Sequence, residues 1–403
     1  MIFSLFLHAG SIQSLKSLMF CGNQETDDSM KLSLAQPSDK KALAKYYKSF
    51  EIPGAVDLKL DRRGDFFKPY ESQSDDYWTF ILRDRDDIIG VATFVILECQ
   101  LEGQIQKIAM GRDLRITQSR KAVMGWAEHF LPVMDDLRKN LKIKHFFSIL
   151  NLSEVRTLNA FVRPRKMHRP IPRFYLYRKF NLNSIHGHFP FTNKNPLPHL
   201  AMDFCQKSEE EKLITYLLQK SHGKNLTLSW SREELLKKID RFGLQMKDFL
   251  VAYDHNGNIV GSLAPWSAQG IQEAIPLRYG LRGHNFRQFL KFGQIFGWTR
   301  ALTKPASRLK KETPLSYKYL LFSNADNSDI FESMLYRAYQ SVNRDEFLVY
   351  LQMRSDFMYK RPMNCISAQI PYGLYALVSP NTETPDFLSP RFDTPVELEP
   401  FWV

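Results

Sequence analysis

Apolar and polar residues alternate along this chain in two rhythms. In "YWTFILRD" (77–84) and "IIGVATFVILE" (88–98), apolar runs of strand length flank the polar turn Arg85-Asp86-Asp87, which predicts a β-hairpin. "QIQKIAM" (104–110) and "DLRIT" (113–117) extend the same sheet. After Ser119 the period lengthens. Val123, Met124, Ala127, Phe130 and Leu131 recur at three- and four-residue steps, the spacing of a helix that buries one face. Pro132 marks its end, or a kink ahead of Val133 to Leu141. "KHFFSIL" (144–150) returns to strand. "NLSEVRTLNAF" (151–161) reads as a helix capped by Asn151 or Ser153, and "RFYLYRKFNL" (173–182) as a further strand. Upstream, Met30 opens a short strand, a Pro-Ser-Asp helix start and an amphipathic helix over 38–49.

The order then repeats. Three prolines in "NSIHGHFPFTNKNPLPHL" and its lack of periodicity make it a linker. Helices over 207–220 and 231–240 follow. "DFLVAYDHNGNIVGSLAPW" turns at Asn256-Gly257, and its "NIVGSLAPW" parallels "DIIGVATFV" of the first half. A strand at 317–323, a helix over 328–342, a strand at 346–353 and a closing hairpin of "NCISAQI" with "GLYALVS" complete the second unit. The division expected is an N-terminal tail or extension (1–29), a first domain (30–185), a linker (186–200), a second domain (201–380) and a tail (381–403). Met30 reads as the working start. The opening "MIFSLFLHAG" lacks the cationic leader of an export signal. The fold class is α+β, each unit a mostly antiparallel sheet flanked by helices.

Composition narrows the chemistry. The 403 residues carry 55 Lys and Arg against 43 Asp and Glu, a net charge of +12 that favours polyanions such as a phosphorylated cofactor. The basic residues are dispersed, with neither zinc-finger spacing nor an aromatic RNA-binding strand, so dedicated nucleic-acid binding is not expected. Cys21, Cys99, Cys205 and Cys365 form no CxxC pair, which fits a reducing, cytoplasmic setting. No metal site is expected, since His186-Gly-His188 has no acidic or thiol neighbours. No apolar run reaches the roughly 20 residues of a membrane span, and no membrane partner is expected.

The polar joint "QSRKAVMG" between the strand "DLRIT" and its helix carries a resemblance. Backbone amides at a helix start, backed by cationic side chains, make a seat for phosphate. Arg120-Lys121-Ala122-Val123-Met124-Gly125 is similar to the Arg/Gln-x-x-Gly-x-Gly/Ala loop of the GNAT superfamily of acyl-CoA N-acetyltransferases, matching at Arg120 and Gly125. Val123 stands where that loop has its middle glycine. The resemblance implies that Ser119, Arg120, Lys121, Ala122, Val123, Met124 and Gly125 hold the pyrophosphate of acetyl-CoA or another acyl-CoA. It implies further that Leu114, Arg115 and Ile116 pair with the pantetheine arm, and that Asn151 ends the strand beside it. The family's helix tyrosine, which protonates the leaving thiolate, would fall near Leu158 or Phe161, and neither is a tyrosine. In the second unit the corresponding joint, "FSNADNSDIFESML", is acidic and lacks Arg, Lys and Gly, so at most the first unit is expected to bind the cofactor.

Acyl transfer to an amine needs a base and a donor to the developing oxyanion. Glu98, at the end of a strand, is the candidate base, and Tyr175, on "RFYLYRKF", the candidate proton donor. The bland alternatives are a solvated carboxylate and a packing residue. Two functions stay open: acyl transfer from acyl-CoA to an amine of a small molecule or peptide, or a non-catalytic pair that binds a ligand or partner.

Overall fold

The computed structural model describes residues 30–162, 171–306, 312–354, 356, 358–380, 382–389 and 394–403, so the expectation for the N-terminal extension lies outside the described residues. In chain order the first half comprises β1 (Met30–Leu34), α1 (Lys40–Lys48), β2 (Val56–Asp61), α2 (Lys68–Glu71), β3 (Tyr77–Asp84), β4 (Asp87–Leu101), β5 (Gln104–Ile116), α3 (Arg120–Leu141), β6 (His145–Asn151), α4 (Val155–Phe161) and β7 (Arg173–His188). The second half comprises β8 (Ala201–Phe204), α5 (Glu210–Ser221), α6 (Arg232–Arg241), β9 (Leu250–Tyr253), β10 (Ile259–Trp266), β11 (Glu273–Tyr279), α7 (Leu281–Ile295), β12 (Tyr317–Ala325), α8 (Ser328–Ser341), β13 (Phe347–Met353) and β14 (Cys365–Val378).

Twelve strands form one open sheet, ordered β1-β3-β4-β5-β6-β14-β7-β13-β12-β10-β9-β8. The order mirrors about its centre. Each half runs inward from its own edge, and each contributes its last strand to the other side of the midline. Neighbours are antiparallel except β5 with β6 and β12 with β13. The sheet is thus mostly antiparallel, as expected. Its two halves are joined by strand pairing, with β14 registered against β7 from Cys365↔His188 to Val378↔Arg173.

Strand β4 shows how the halves share a core. Val91, Val95, Leu97 and Cys99 face a large cluster with α1, α2, α5, α6 and the C-terminal Phe401 and Trp402. Ala92, Phe94 and Ile96 face a second cluster under α3. With both faces covered, the run is apolar throughout rather than alternating. Helix α8 covers the equivalent face of the second half through Ile330, Phe331, Met334 and Leu335.

The structure corrects several readings. The expected closing hairpin is one continuous strand, β14. Pro371 lies beyond the point where β6 begins to pair, at Tyr372↔Asn151, so its missing N–H costs no ladder bond, while its carbonyl accepts from the Leu152 amide at 2.9 Å. Helix α3 continues through Pro132 without ending. His186 and His188, read as linker, stand buried in β7. There Gly187 permits the crossing: a Cβ on it would lie 2.3 Å from the Trp298 carbonyl oxygen. Helix α7 and the two-stranded ribbon β2–β11, which ties the two halves together from Glu273↔Asp61 to Tyr279↔Val56, have no counterpart in the sequence reading.

Candidate functional site

Strands β5 and β6 pair in parallel only from Ile108↔His145 to Gly111↔Ser148. Beyond that they part. β5 continues to Ile116 held by β4, and β6 to Asn151 held by β14. The strand edges of Arg112–Ile116 and Ile149–Asn151 therefore face each other across a V-shaped opening.

A bulge bends β5 at the apex of the V. Thr93 pairs with Arg112 and Val91 with Arg115, so Ala92 alone opposes Asp113 and Leu114, and Asp113 takes a φ of +53°. A non-glycine residue in the left-handed region needs support from its surroundings. Here Tyr47 Oη donates to Asp113 Oδ1 at 2.7 Å, Tyr70 Oη to Oδ2 at 2.7 Å, and Arg62 Nη2 to Oδ2 at 2.5 Å. Arg62 also donates to the Phe66 carbonyl, to Tyr70 Oη and to Gln272 Oε1, and its guanidinium lies 4.1 Å from the centre of the Tyr47 ring.

These groups set each other's protonation. Burial alone would raise the Asp113 carboxyl, but Arg62, Arg112 and Arg115 around it hold it well below the usual carboxylate range. Burial and the Asp113 charge push Tyr47 up to about 12, and burial pushes Tyr70 up as well. Both tyrosines keep their protons at neutral pH and act as donors. The cluster holds the bulge in shape.

The cationic joint stands at the mouth of the V. Ser119, extended at φ −122° and ψ 146°, caps α3 by accepting from the Ala122 amide at 3.1 Å. Arg120 and Lys121 are exposed, and Lys121 Nζ is 2.9 Å from Asp84 Oδ2. Val123 and Met124 face outward, and the Val123 amide donates to the Ser119 carbonyl as in any first helical turn. Ala122 and Gly125 face the sheet; a Cβ on Gly125 would meet Met30 Sδ at 3.0 Å. Leu114 and Ile116 pack beneath α3, while Arg115 turns to the opposite face, 5.3 Å from the Tyr47 ring centre. Asn151 closes the turn after β6, its Oδ1 accepting from the Ser153 amide at 2.8 Å.

The sequence-predicted donor residues thus converge on one opening, whereas the two catalytic candidates stand elsewhere. Glu98 is exposed and registers with Lys107, while the V begins beyond Gly111, opposite Phe94. Four residues along β4 put Glu98 about 13 Å from that point. Tyr175 pairs with Ala376, so β14 separates it from the V, and its hydroxyl binds Thr384 and Arg173, which lower its pKa. Sequence reasoning missed Arg62, Tyr47, Tyr70 and Asp113. The one signal was the charged pair Arg112-Asp113 inside an otherwise strand-like run.

The second half repeats the backbone device and brings the C-terminal segment to it. β12 and β13 pair from Tyr317↔Phe347 to Tyr319↔Val349, then part, with a bulge at Phe322, φ +50°. A cavity of about 290 Å³ lies there, lined by Phe322, Asn324, Leu351, Met353, Lys224 and the C-terminal segment. The Phe322 amide donates to Glu399 Oε2 at 3.2 Å. The buried Lys238 Nζ binds Glu397 and Glu399, each at 2.7 Å. Burial would raise Glu397, but Lys238 and Lys224 bring it down to about 2. Among the described residues no group of three or more His, Cys, Asp or Glu could hold a metal ion, and no helix is long and apolar enough to cross a membrane.

No family profile matches the chain, and a search of curated proteins finds no sequence match. Solved structures do match in shape. N-myristoyltransferase of Saccharomyces cerevisiae with bound myristoyl-CoA superposes with a TM-score of 0.53 at 9% identity, over 89% of this chain and 84% of that one. A further structure of that enzyme with bound myristoyl-CoA gives 0.52 at 9% identity, over 89% and 80%. A GCN5-related N-acetyltransferase from Sphaerobacter thermophilus aligns over 89% of this chain and 99% of its own, at 9% identity and a TM-score of 0.47. The fold of this chain is that of the two N-myristoyltransferase structures.

Proposed function

We propose that the chain is an acyl-CoA-dependent N-acyltransferase whose donor site is the V between β5 and β6. The observation that carries this reading is the coincidence of three features at one place: parted parallel strands, a bulge at their apex and a cationic, capped helix start at their mouth. In this reading the free edge of Leu114 to Ile116 pairs with the pantetheine arm as an added strand would. The first turn of α3, with Arg120 and Lys121, takes the pyrophosphate. The acyl carbonyl lies at the bulge, where main-chain amides lifted out of the ladder stabilise the oxyanion as the amine attacks. The C–N bond forms, the C–S bond breaks, and the amine proton leaves with the thiolate or to solvent. The acyl group is acetyl or longer, and the acceptor is a small-molecule or peptide amine.

Titration calorimetry tests the donor site. Acetyl-CoA or a longer acyl-CoA binds with a Kd at or below about 100 μM. Arg120→Ala with Lys121→Ala weakens it by about tenfold or more, as expected when charge-assisted hydrogen bonds worth about 1.5–3 kcal/mol are lost. Absence of binding by the wild type sinks the assignment. A second reading, a binding module without chemistry, is favoured by the locked protonation of Tyr47, Tyr70 and Asp113 and by the lack of a tyrosine at 158 or 161. It prevails if acyl-CoA binds and no thiol is released across a broad amine panel.

A further inference from the structure

Helix α7 is docked by the wrong face for an ordinary amphipathic helix. Its inward positions are Gly283, Leu290 and Gly293. The glycines are needed for the approach, since a Cβ on Gly283 would lie 2.1 Å from the Ala55 carbonyl oxygen and one on Gly293 2.7 Å from Thr299 Oγ1. The large apolar residues point outward instead: Leu281 (80% exposed), Phe289, Phe292, Ile295 (77%) and Phe296. This row continues past the helix. Phe296 stacks on Trp298 at 4.9 Å, the Trp298 carbonyl accepts from the His188 amide at 3.2 Å, and the next amide, Phe189, donates to Asn364 at 2.9 Å. Beside that junction stand Phe191, fully exposed at φ +61°, and Met363, 91% exposed.

The three segments that carry this apolar row have charge of one sign. No aspartate or glutamate occurs between Glu273 and Glu312, while Arg282, Arg287 and Lys291 lie on α7 itself. The other two segments, from Gly187 to Met202 and from Tyr359 to Thr382, also lack acids and carry Lys194, Lys360 and Arg361. We propose that this face docks on an anionic lipid bilayer, with α7 lying in the plane of the interface and Phe191 and Met363 inserted as tips. Fifteen residues at 1.5 Å each reach about 22 Å, short of the roughly 30 Å hydrocarbon core, and the inward face is already held against the protein through Gly283, Leu290 and Gly293. That combination describes a helix lying on a membrane rather than crossing it. A second copy fits poorly, because a two-fold contact would set the same cationic residues against each other. The proposal departs from the sequence-based expectation of no membrane partner, and it stands apart from the acyl-transfer reading.

Vesicle sedimentation of the full chain tests it. Wild type partitions onto phosphatidylcholine vesicles containing about 30% phosphatidylserine and far less onto phosphatidylcholine alone, with binding lost at high salt. Phe191→Ser with Phe292→Ser lowers partitioning by more than about tenfold. Arg282→Gln and Lys291→Gln each lower it by about fivefold. All four residues are exposed, so circular dichroism and melting curves should match wild type. Equal, weak sedimentation of wild type with both vesicles overturns the proposal, as do variants that bind like wild type. So does a wild-type dimer in analytical ultracentrifugation that Phe191→Ser with Phe292→Ser dissociates.

Discussion

The two halves open the same V and close it differently. In both, a parallel pair parts after a few residues and a non-glycine residue in the left-handed region bends the inner strand. At the first apex the bulge residue brings its own carboxylate: Asp113 turns away from the V and is pinned by Arg62, Tyr47 and Tyr70. At the second apex the bulge residue is Phe322, which brings none, and the chain's own C-terminal segment supplies Glu399 to accept the bulge amide. A bulge amide turned into a cleft needs an acceptor. The second half satisfies it internally, through Glu399.

The sharpest way to break this comparison is to remove the buried cation at each apex. Lys238→Met strips Glu397 and Glu399 of their direct ion-pair partner, leaving Lys224, and Arg62→Met does the same to Asp113, leaving Arg112 and Arg115. Each should cost about 3–5 kcal/mol in chemical denaturation, the usual loss when one partner of a buried pair is removed. The signatures should differ. Lys238→Met frees the C-terminal segment to added carboxypeptidase and Arg62→Met does not. Equal protection of the segment in both variants would mean that the tail is not held by the second cleft.

Acid should separate the clefts next. Glu397 has a folded pKa near 2, below its ordinary value of 4.5. Its contribution is therefore fully present above about pH 4.5 and is lost as pH falls towards 2, a swing of about 3 kcal/mol for a shift of this size. The Asp113 carboxyl is held below the usual range too, but it braces a strand inside the sheet whereas Glu397 holds the C-terminal segment, so acid frees that segment before the sheet unfolds. Proteolysis of the tail that begins no earlier than global unfolding in a pH titration would contradict this order. A smaller effect belongs to Tyr47→Phe. It deletes one of the donors to the Asp113 carboxylate and should destabilise by about 1.5–3 kcal/mol, the range for hydrogen bonds to a charged group.

How much of this was legible follows from which contacts are local. The β3–β4 hairpin, the joint at Ser119 and the hairpin at Asn256-Gly257 are written in consecutive residues, and the sequence reading found them. The exchange of β7 and β14 across the midline is not, because it depends on pairing residues nearly two hundred positions apart. Pro371 looked like a turn because its neighbours do not show that β6 has already ended. Helix α7 escaped because Phe286 and Leu290 face inward beside two glycines while Leu281, Phe289, Phe292 and Ile295 face outward, so no single apolar face gives the periodicity away. Of the candidate site, the donor residues 114–125 came from one contiguous stretch. The apex cluster draws Tyr47, Arg62, Tyr70 and Asp113 from four elements, and only the fold gathers them. Glu98 was placed on the right strand, but alternation cannot say which end of a strand meets the opening.

Val123 gives the finest test of the first cleft. In the resembling loop its place belongs to a glycine, which allows a positive φ and a close approach of the backbone to phosphate. Here Val123 sits inside α3 with its amide already donating to the Ser119 carbonyl, and its side chain is half-exposed rather than turned against the sheet. In the proposed donor site the pyrophosphate meets the start of this same turn, at Arg120 and Lys121, where helical geometry is reached without a glycine. Val123→Gly should then cost only the helix-propensity difference, a few tenths of a kcal/mol, and change acyl-CoA affinity by less than about twofold. A tenfold gain in affinity would mean that the valine obstructs the seat, so that side chains restrict the first cleft as the C-terminal segment restricts the second.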